Sequence, residues 1–70
     1  MRYKRGDIVE FSLTDPAISS SKFEGVILET VQRRCHIKPT KKDGKSIPKK
    51  NQDSVAVGYE YVRPKQIKLN

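Results

Sequence analysis

The stretch FEGVILETVQ, residues 23–32, decides the fold of this chain. Gly25 precedes three consecutive apolar residues, which interrupt the strict alternation of a half-buried strand. A glycine at that point allows a β-bulge or a close backbone crossing. The competing interpretation is a helix over 22–32, but the β-branched residues in the stretch argue against it, because they lose side-chain freedom in a helix. The stretch therefore predicts a strand in a small, curved sheet.

The next stretch, RRCHIKPT at residues 33–40, continues the β pattern. Cys35 and Ile37 alternate with the polar residues His36 and Lys38, which is the period of a strand with one buried face. We expect a strand from about 34 to 40, with Cys35 packed in the core as a small apolar side chain. His36 then lies on the opposite face, among solvated polar side chains.

The same reasoning, carried outward, predicts three further strands. Apolar residues alternate over 8–13, over 54–62 and, briefly, over 67–69, which would be the first, fourth and last strands. The segment 41–53 contains the turn signal KDGK and is interpreted as one long, basic and mobile hairpin loop. Residues 63–66 contain a proline that stops the fourth strand, so we expect a single tight turn there.

Together these elements predict an all-β protein, with five short strands in a single domain over residues 1–70. A chain of this length buries only about 60% of the surface that its unfolded form exposes, so its core is thin. Curling the sheet into a small barrel is the economical way to avoid two exposed edges.

Three segments resemble the SH3-like small-barrel superfamily, which includes Tudor-like and KOW-like domains. They are the opening RGDIV at 5–9, the glycine-led FEGVI at 23–27 and the ending YVRPKQIKL at 61–69. The resemblance implies a one-turn 3₁₀ segment before the last strand, which would be 63–66. It leaves function open, because such barrels bind many kinds of partner. The proline-peptide and methyl-lysine types are disfavoured, since the chain has no tryptophan and few aromatic residues.

The net charge of +7 is concentrated in one segment of the chain. Residues 33–50 contain eight lysines and arginines against one acidic residue, Asp43, whereas the flanking segments are nearly neutral. A basic charge confined to one strand and loop is typical of a contact site for a polyanion. The alternative is a solvated lysine loop that keeps a small protein soluble.

We therefore predict a non-catalytic binding module that contacts nucleic acid, DNA or RNA, through phosphates and with weak sequence preference. Outer-face residues of the third strand, from Arg34 to Thr40, would stand in a row that the loop continues. Two tyrosines of the fourth strand would either stack on exposed bases or pack in the core. The predicted nucleic-acid-binding residues are Arg33, Arg34, His36, Lys38, Lys41, Lys42, Lys45, Lys49, Lys50, Tyr59 and Tyr61.

A second hypothesis is a protein–protein adaptor or inhibitor, either an accessory subunit or a phage-encoded modulator, that docks on an acidic protein surface. Small barrels pair readily through edge strands, so a monomer or a small homo-oligomer fits either hypothesis.

Catalysis is not expected from this sequence. Cys35 and His36 are adjacent on a strand and point to opposite faces, and the carboxylates are scattered along the chain. One cysteine provides neither an internal disulfide nor a zinc site of the Cys/His type, so no metal or other cofactor is predicted. The sequence has no apolar stretch of membrane-spanning length and no secretory signal pattern, so we expect a cytoplasmic protein that does not contact membranes.

Overall fold

Six strands and two short 3₁₀ helices make up the part of the chain that the computed structural model describes, residues 3–14 and 21–65. The strands are β1 (Ile8–Phe11), β2 (Phe23–Val31), β3 (Arg34–Lys42), β4 (Lys45–Ser46), β5 (Val55–Gly58) and β6 (Val62–Pro64). The single-turn 3₁₀ helices are η1 (Lys49–Asn51) and η2 (Tyr59–Tyr61). The all-β prediction is confirmed. Within these two ranges, no helix has the length and apolarity needed to cross a membrane.

The strands form one antiparallel sheet that folds back toward its start. β1 pairs with β2, β2 pairs with β3, and β6 returns to pair with the other edge of β1. β4 and β5 both pair with the remaining edge of β3, at its two ends. Among the described strands no pairing joins β5 to β6, so the sheet is open between them.

The core is formed by the inward-facing residues of all the strands except β4. Ile27 and Ile37 lie directly opposite each other on β2 and β3 and are fully buried. Cys35 is also fully buried, which confirms that it packs as a small apolar side chain. The buried cluster consists of Val9, Phe11, Ile27, Cys35, Ile37, Val57 and Val62.

Gly25 sits at a bulge and at a close crossing, as its place in the sequence predicts. The register shifts between Glu24 and Gly25, where Thr40 of β3 has no partner on β2. A Cβ on Gly25 would lie 2.5 Å from the carbonyl oxygen of Lys38, too close for any side chain. A second shift leaves Leu28 of β2 unpaired, and bulges of this kind bend and twist the strands that carry them.

Two predicted boundaries in the last described segment are wrong. The strand predicted over 54–62 ends at Gly58, where η2 begins, and the tight turn predicted over 63–66 is replaced at its start by β6. The 3₁₀ turn does precede the last described strand, but it is formed by Tyr59–Tyr61. Both tyrosines pack against the buried cluster, and this burial outweighs their preference for strands. The strand predicted over 67–69 lies outside the described residues.

The segment 41–53 is not the single long loop that its composition predicts. β3 continues through Lys42, a two-residue turn follows, and β4 pairs back with β3. After β4, the side-chain amide of Gln52 donates a hydrogen bond of 2.7 Å to the carbonyl of Ile47, and η1 lies between them. The lysines of this segment therefore stand on a hydrogen-bonded framework, because its backbone groups pair locally.

Candidate nucleic-acid interface

The outer face of β3 carries the most exposed part of the predicted interface. Arg34 and Lys38 are exposed and point away from the core, because the residues that flank them on the strand face inward. Their cross-strand partners on β2 are Val31 and Val26, which carry no charge. These two cations therefore present their charge to solvent without a carboxylate as cross-strand partner.

His36 and Thr40 contribute less to this face than the sequence predicts. His36 is half-buried and lies opposite Glu29 on β2. Thr40 is the unpaired residue of the bulge, and its hydroxyl donates a hydrogen bond of 3.2 Å to the backbone carbonyl of Glu24. The bulge moves the outward-facing position from Thr40 to Lys41, which pairs with Glu24 in the sheet.

Lys41 and Lys42 are already engaged within the protein. The Lys41 ammonium lies 3.8 Å from the Glu24 carboxylate, which the Lys65 ammonium also approaches, to 3.0 Å. The Lys42 ammonium lies 5.7 Å from the centre of the Phe23 ring, within the range of a cation–π contact. This end of β3 therefore has less free positive charge than a count of lysines indicates.

Lys45, Lys49 and Lys50 are exposed on β4 and η1, beyond the same end of β3. β3 has nine residues, and a strand of that length spans about 26 Å. Arg34 and Lys42 therefore lie at opposite ends of the strand. The predicted residues form two groups, one at each end of β3, with Lys38 between them.

The turn between β2 and β3 places two long side chains where the backbone favours glycine. Val31 pairs with Arg34, so Gln32 and Arg33 alone connect the strands. Their φ angles are 47° and 63°, in the left-handed region that a type I′ hairpin turn requires. The preferred residues there are Asn-Gly or Asp-Gly, and other residues cost about 1–2 kcal/mol each.

Arg33 and Arg34 border a cleft of about 380 Å³ that runs along β5. We call it the β5-edge cleft. On its far side, the backbone N–H of Ser12 donates a hydrogen bond of 3.0 Å to the carbonyl of Tyr61, which places Leu13 beside η2. The Leu13 side chain is 50% exposed. The cleft is lined by Leu13, Gln32, Arg33, Arg34, Ala56, Val57, Gly58, Glu60 and Tyr61.

Tyr59 and Tyr61 are half-buried and pack against the core cluster, which was one of the two interpretations open for them. The Tyr59 ring meets the Tyr3 ring edge-on, with ring centres 5.6 Å apart. The Tyr3 hydroxyl donates a hydrogen bond of 3.0 Å to the carbonyl of Val62. Burial raises the pKa of Tyr3, and the nearby Cys35 and Tyr59 raise it further. Of the two predicted tyrosines, Tyr61 alone lines the β5-edge cleft.

The Cys35 thiol is placed for packing. Its side chain is fully buried, and burial raises the pKa of the thiol, so the nucleophilic thiolate is disfavoured at neutral pH. In residues 3–14 and 21–65, no group of three or more His, Cys, Asp or Glu side chains is arranged to hold a metal ion.

Sequence reasoning missed six residues of the cleft, namely Leu13, Gln32, Ala56, Val57, Gly58 and Glu60. The sequence contained one signal for Gln32. Two predicted strands follow each other here with no glycine, asparagine or proline between them, so the turn that joins them has to be formed by residues such as Gln32 and Arg33. Comparison of the chain with protein-family models, with curated proteins and with solved structures finds no match.

Proposed function

We propose that this protein is a non-catalytic module that binds nucleic acid through the outer face of β3 and the turn that precedes it. The observation that carries the proposal is the exposure of Arg33 in the turn and of Arg34 and Lys38 on the outer face of β3, where both strand residues lie opposite uncharged residues of β2. Cations in such a row can each neutralise a phosphate and release its counterions.

Contacts of this kind read the backbone of a nucleic acid more than its bases. The tyrosines that would stack on bases are half-buried against the core, and the lysines on β4 and η1 are point charges without bidentate geometry. We therefore expect weak sequence preference and a strong dependence on salt. The lysines beyond Lys42 add long-range attraction more than specific contacts.

The fold that we propose for this module is an SH3-like small barrel. Three features support it: the meander of β1, β2 and β3, the antiparallel return of β6 to β1, and the single 3₁₀ turn between β5 and β6.

The proposal is tested by fluorescence anisotropy with random-sequence duplex DNA, single-stranded DNA and single-stranded RNA over a series of salt concentrations. The double variant Arg34→Ser/Lys38→Ser should bind more weakly. Because two phosphate contacts are lost, its salt slope should fall by about 1.8 with the duplex and by about 1.4 with the single strands. The matched control, Lys4→Ser/Arg5→Ser, removes the same charge from exposed residues that precede β1 and should retain most of the affinity. Absence of binding to all three probes at low salt would overturn the proposal.

Two further outcomes define how far the interface extends. If both double variants lose affinity equally, net charge rather than the β3 row drives binding, and the proposed site is wrong. If replacing Lys41, Lys42, Lys45, Lys49 and Lys50 together with serine leaves the affinity unchanged, that segment is a solvated tether, and the interface is limited to the other end of β3.

A second candidate function, an adaptor that docks on an acidic protein, is favoured by one separate feature. The β5-edge cleft offers a strand edge, two arginines and an exposed leucine side by side. This combination suits a polypeptide better than a phosphate backbone, because strand edges recognise extended chains.

A further inference from the structure

In residues 3–14 and 21–65, no strand pairs with the outer edge of β5, so its backbone groups are available to a partner within this part of the chain. The N–H of Tyr59 donates to the carbonyl of Arg33 over 3.0 Å, so hydrogen-bonded pairs alternate along β5 and β3 starting from that pair. By this alternation Val57 and Val55 bond to β3, and Ala56 and Gly58 direct their N–H groups the other way. Among the described strands, β3 is the sole partner of β5.

The side chains beside this edge favour a partner with negative charge. Arg33 and Arg34 line the cleft from the β3 side of β5, and both are exposed. Glu60 opposes them in part, because its carboxylate lies against Gly58, where it comes within 2.5 Å of the position that a Cβ would occupy. The cleft therefore has a net charge of +1, from two arginines and one glutamate, and Leu13 adds an apolar contact.

We infer that the β5-edge cleft binds an extended acidic peptide segment by strand addition. The peptide backbone pairs with Ala56 and Gly58, and its carboxylates lie against Arg33 and Arg34. Strand addition gains affinity from main-chain hydrogen bonds and specificity from alternate side chains. This inference rests on the second candidate function and specifies it, by naming the kind of partner and the backbone groups that bind it. The two arginines are common to this cleft and to the nucleic-acid interface.

A nucleotide base is the competing occupant for a cleft of this size. A base held in a cleft is usually stacked on a flat, exposed ring, and the tyrosine that lines this one is half-buried against the core. The unpaired backbone groups, by contrast, are two residues apart, which is the repeat of a strand ladder. The observations therefore favour a peptide.

The strained turn provides a second, independent reason to expect a ligand at this place. Gln32 and Arg33 adopt left-handed backbone angles that their side chains disfavour, and both line the cleft. Strain of this kind clusters at ligand contacts. An Asn-Gly turn would fold more easily but would leave the cleft without the Arg33 guanidinium.

The test is an NMR titration of the full ¹⁵N-labelled protein with a short capped peptide of alternating valine and aspartate. A peptide with lysine in place of aspartate is the matched control. We expect the amides of Ala56 and Gly58 to exchange rapidly with solvent in the free protein, and to shift and become protected when the acidic peptide binds. The lysine peptide should produce neither change.

Variants then separate the backbone contacts from the charge contacts. Ala56→Pro removes the N–H that faces outward and keeps the bonds to β3, so peptide affinity should fall by at least about tenfold. Arg33→Gly should lower the affinity for the acidic peptide by about three- to tenfold. Lys50→Gln removes one positive charge on η1 and should have little effect. Because Pro can disturb a strand, the fold of Ala56→Pro is checked from the amide spectrum, and Arg33→Gly provides the test if it is perturbed.

Several results would overturn the inference. The first two are no binding of the acidic peptide and equal binding of the lysine peptide. The next two are amide shifts at Lys38 and Lys41 in place of Ala56 and Gly58, and slow exchange of the Ala56 and Gly58 amides already in the free protein. The last is protection of the Ala56 and Gly58 amides by an oligonucleotide but not by the peptide. None of these experiments except the last uses nucleic acid. Failure here therefore leaves the anisotropy test of the β3 face unaffected.

Discussion

The two ends of β3 carry hairpin turns of the same length and the same backbone handedness but of very different composition. Asp43 and Gly44 connect β3 to β4 with φ angles of 50° and 83°, and Gln32 and Arg33 connect β2 to β3 with φ angles of 47° and 63°. Asp-Gly is a preferred sequence for such a turn, whereas Gln-Arg is not. The same turn conformation is therefore formed by a favourable sequence at one end of β3 and by an unfavourable sequence at the other.

The turn at Asp43 is also fastened to the rest of the fold. The carboxylate of Asp43 accepts a hydrogen bond of 2.8 Å from the backbone N–H of Lys22, and the N–H of Asp43 donates one of 2.7 Å to the Lys22 carbonyl. These contacts tie the hairpin to the residue that precedes β2. This turn therefore stabilises the fold through its favourable backbone conformation and its two hydrogen bonds to Lys22.

The turn at Gln32 and Arg33 has the opposite character. Its side chains line the β5-edge cleft, and both residues adopt left-handed backbone angles that are unfavourable for residues with a side chain. We interpret the difference as a division of roles along β3, with stability concentrated at one end and recognition at the other. Exchanging the two turn sequences tests this interpretation.

The largest effect is expected when the Gln-Arg sequence is moved to the favourable turn. Asp43→Gln/Gly44→Arg should lower the free energy of unfolding by about 2–3 kcal/mol, because two strained residues replace two suited ones and the bond to Lys22 is lost. Urea unfolding followed by circular dichroism measures it. A change of less than about 0.5 kcal/mol would show that the turn sequence does not matter at this site.

The reciprocal exchange should have a smaller effect of opposite sign. Gln32→Asn/Arg33→Gly relieves both left-handed positions, but the greater freedom of glycine in the unfolded chain offsets part of the gain. The free energy of unfolding should therefore rise by about 1–2 kcal/mol. The same urea experiment provides the measurement. Lower stability in this variant would mean that the native side chains make folding contacts that outweigh the strain, and the division of roles would be wrong.

Alkaline pH should change the stability of every variant and leave the difference between the two exchanges unchanged. Burial raises the pKa of Cys35 above its ordinary 9.0 and that of Tyr3 above its ordinary 10.0. A raised pKa contributes stability that is complete below the ordinary value and is lost as pH rises through the folded-state value. All variants should therefore lose stability above about pH 9, in parallel, in thermal melts recorded across this range. Divergence of the two exchanges with pH would place a titrating group at one of the turns.

Much of this fold could be predicted from residue patterns, because the decisive signals are local. Gly25 before an apolar run indicated a bulge or a close backbone crossing, and the structure has both at this position, a register shift and the close approach of the Lys38 carbonyl. Cys35 and Ile37 predicted the buried face of β3 by simple alternation. The strands β2 and β3 begin at the predicted residues for the same reason.

What could not be predicted depends on contacts between distant segments. The bulge at Thr40 turns Lys41 outward to meet Glu24, which reduces the free charge that the sequence count suggests. Tyr59 leaves the strand pattern because its ring packs with Tyr3, far away in the chain. The β5-edge cleft joins the end of β1 to η2 and the β2–β3 turn, and no local pattern brings these three together.

The most direct test of the account is a paired measurement on Arg33→Gly, with unfolding free energy and affinity for single-stranded and duplex oligonucleotides determined on the same preparation. We predict that stability rises by about 1 kcal/mol while nucleic-acid affinity falls. The salt slope should decrease by about 0.9 with the duplex and by about 0.7 with the single strand, the share of one phosphate contact. Higher stability with unchanged affinity and salt slope would contradict the claim that this turn belongs to the nucleic-acid interface.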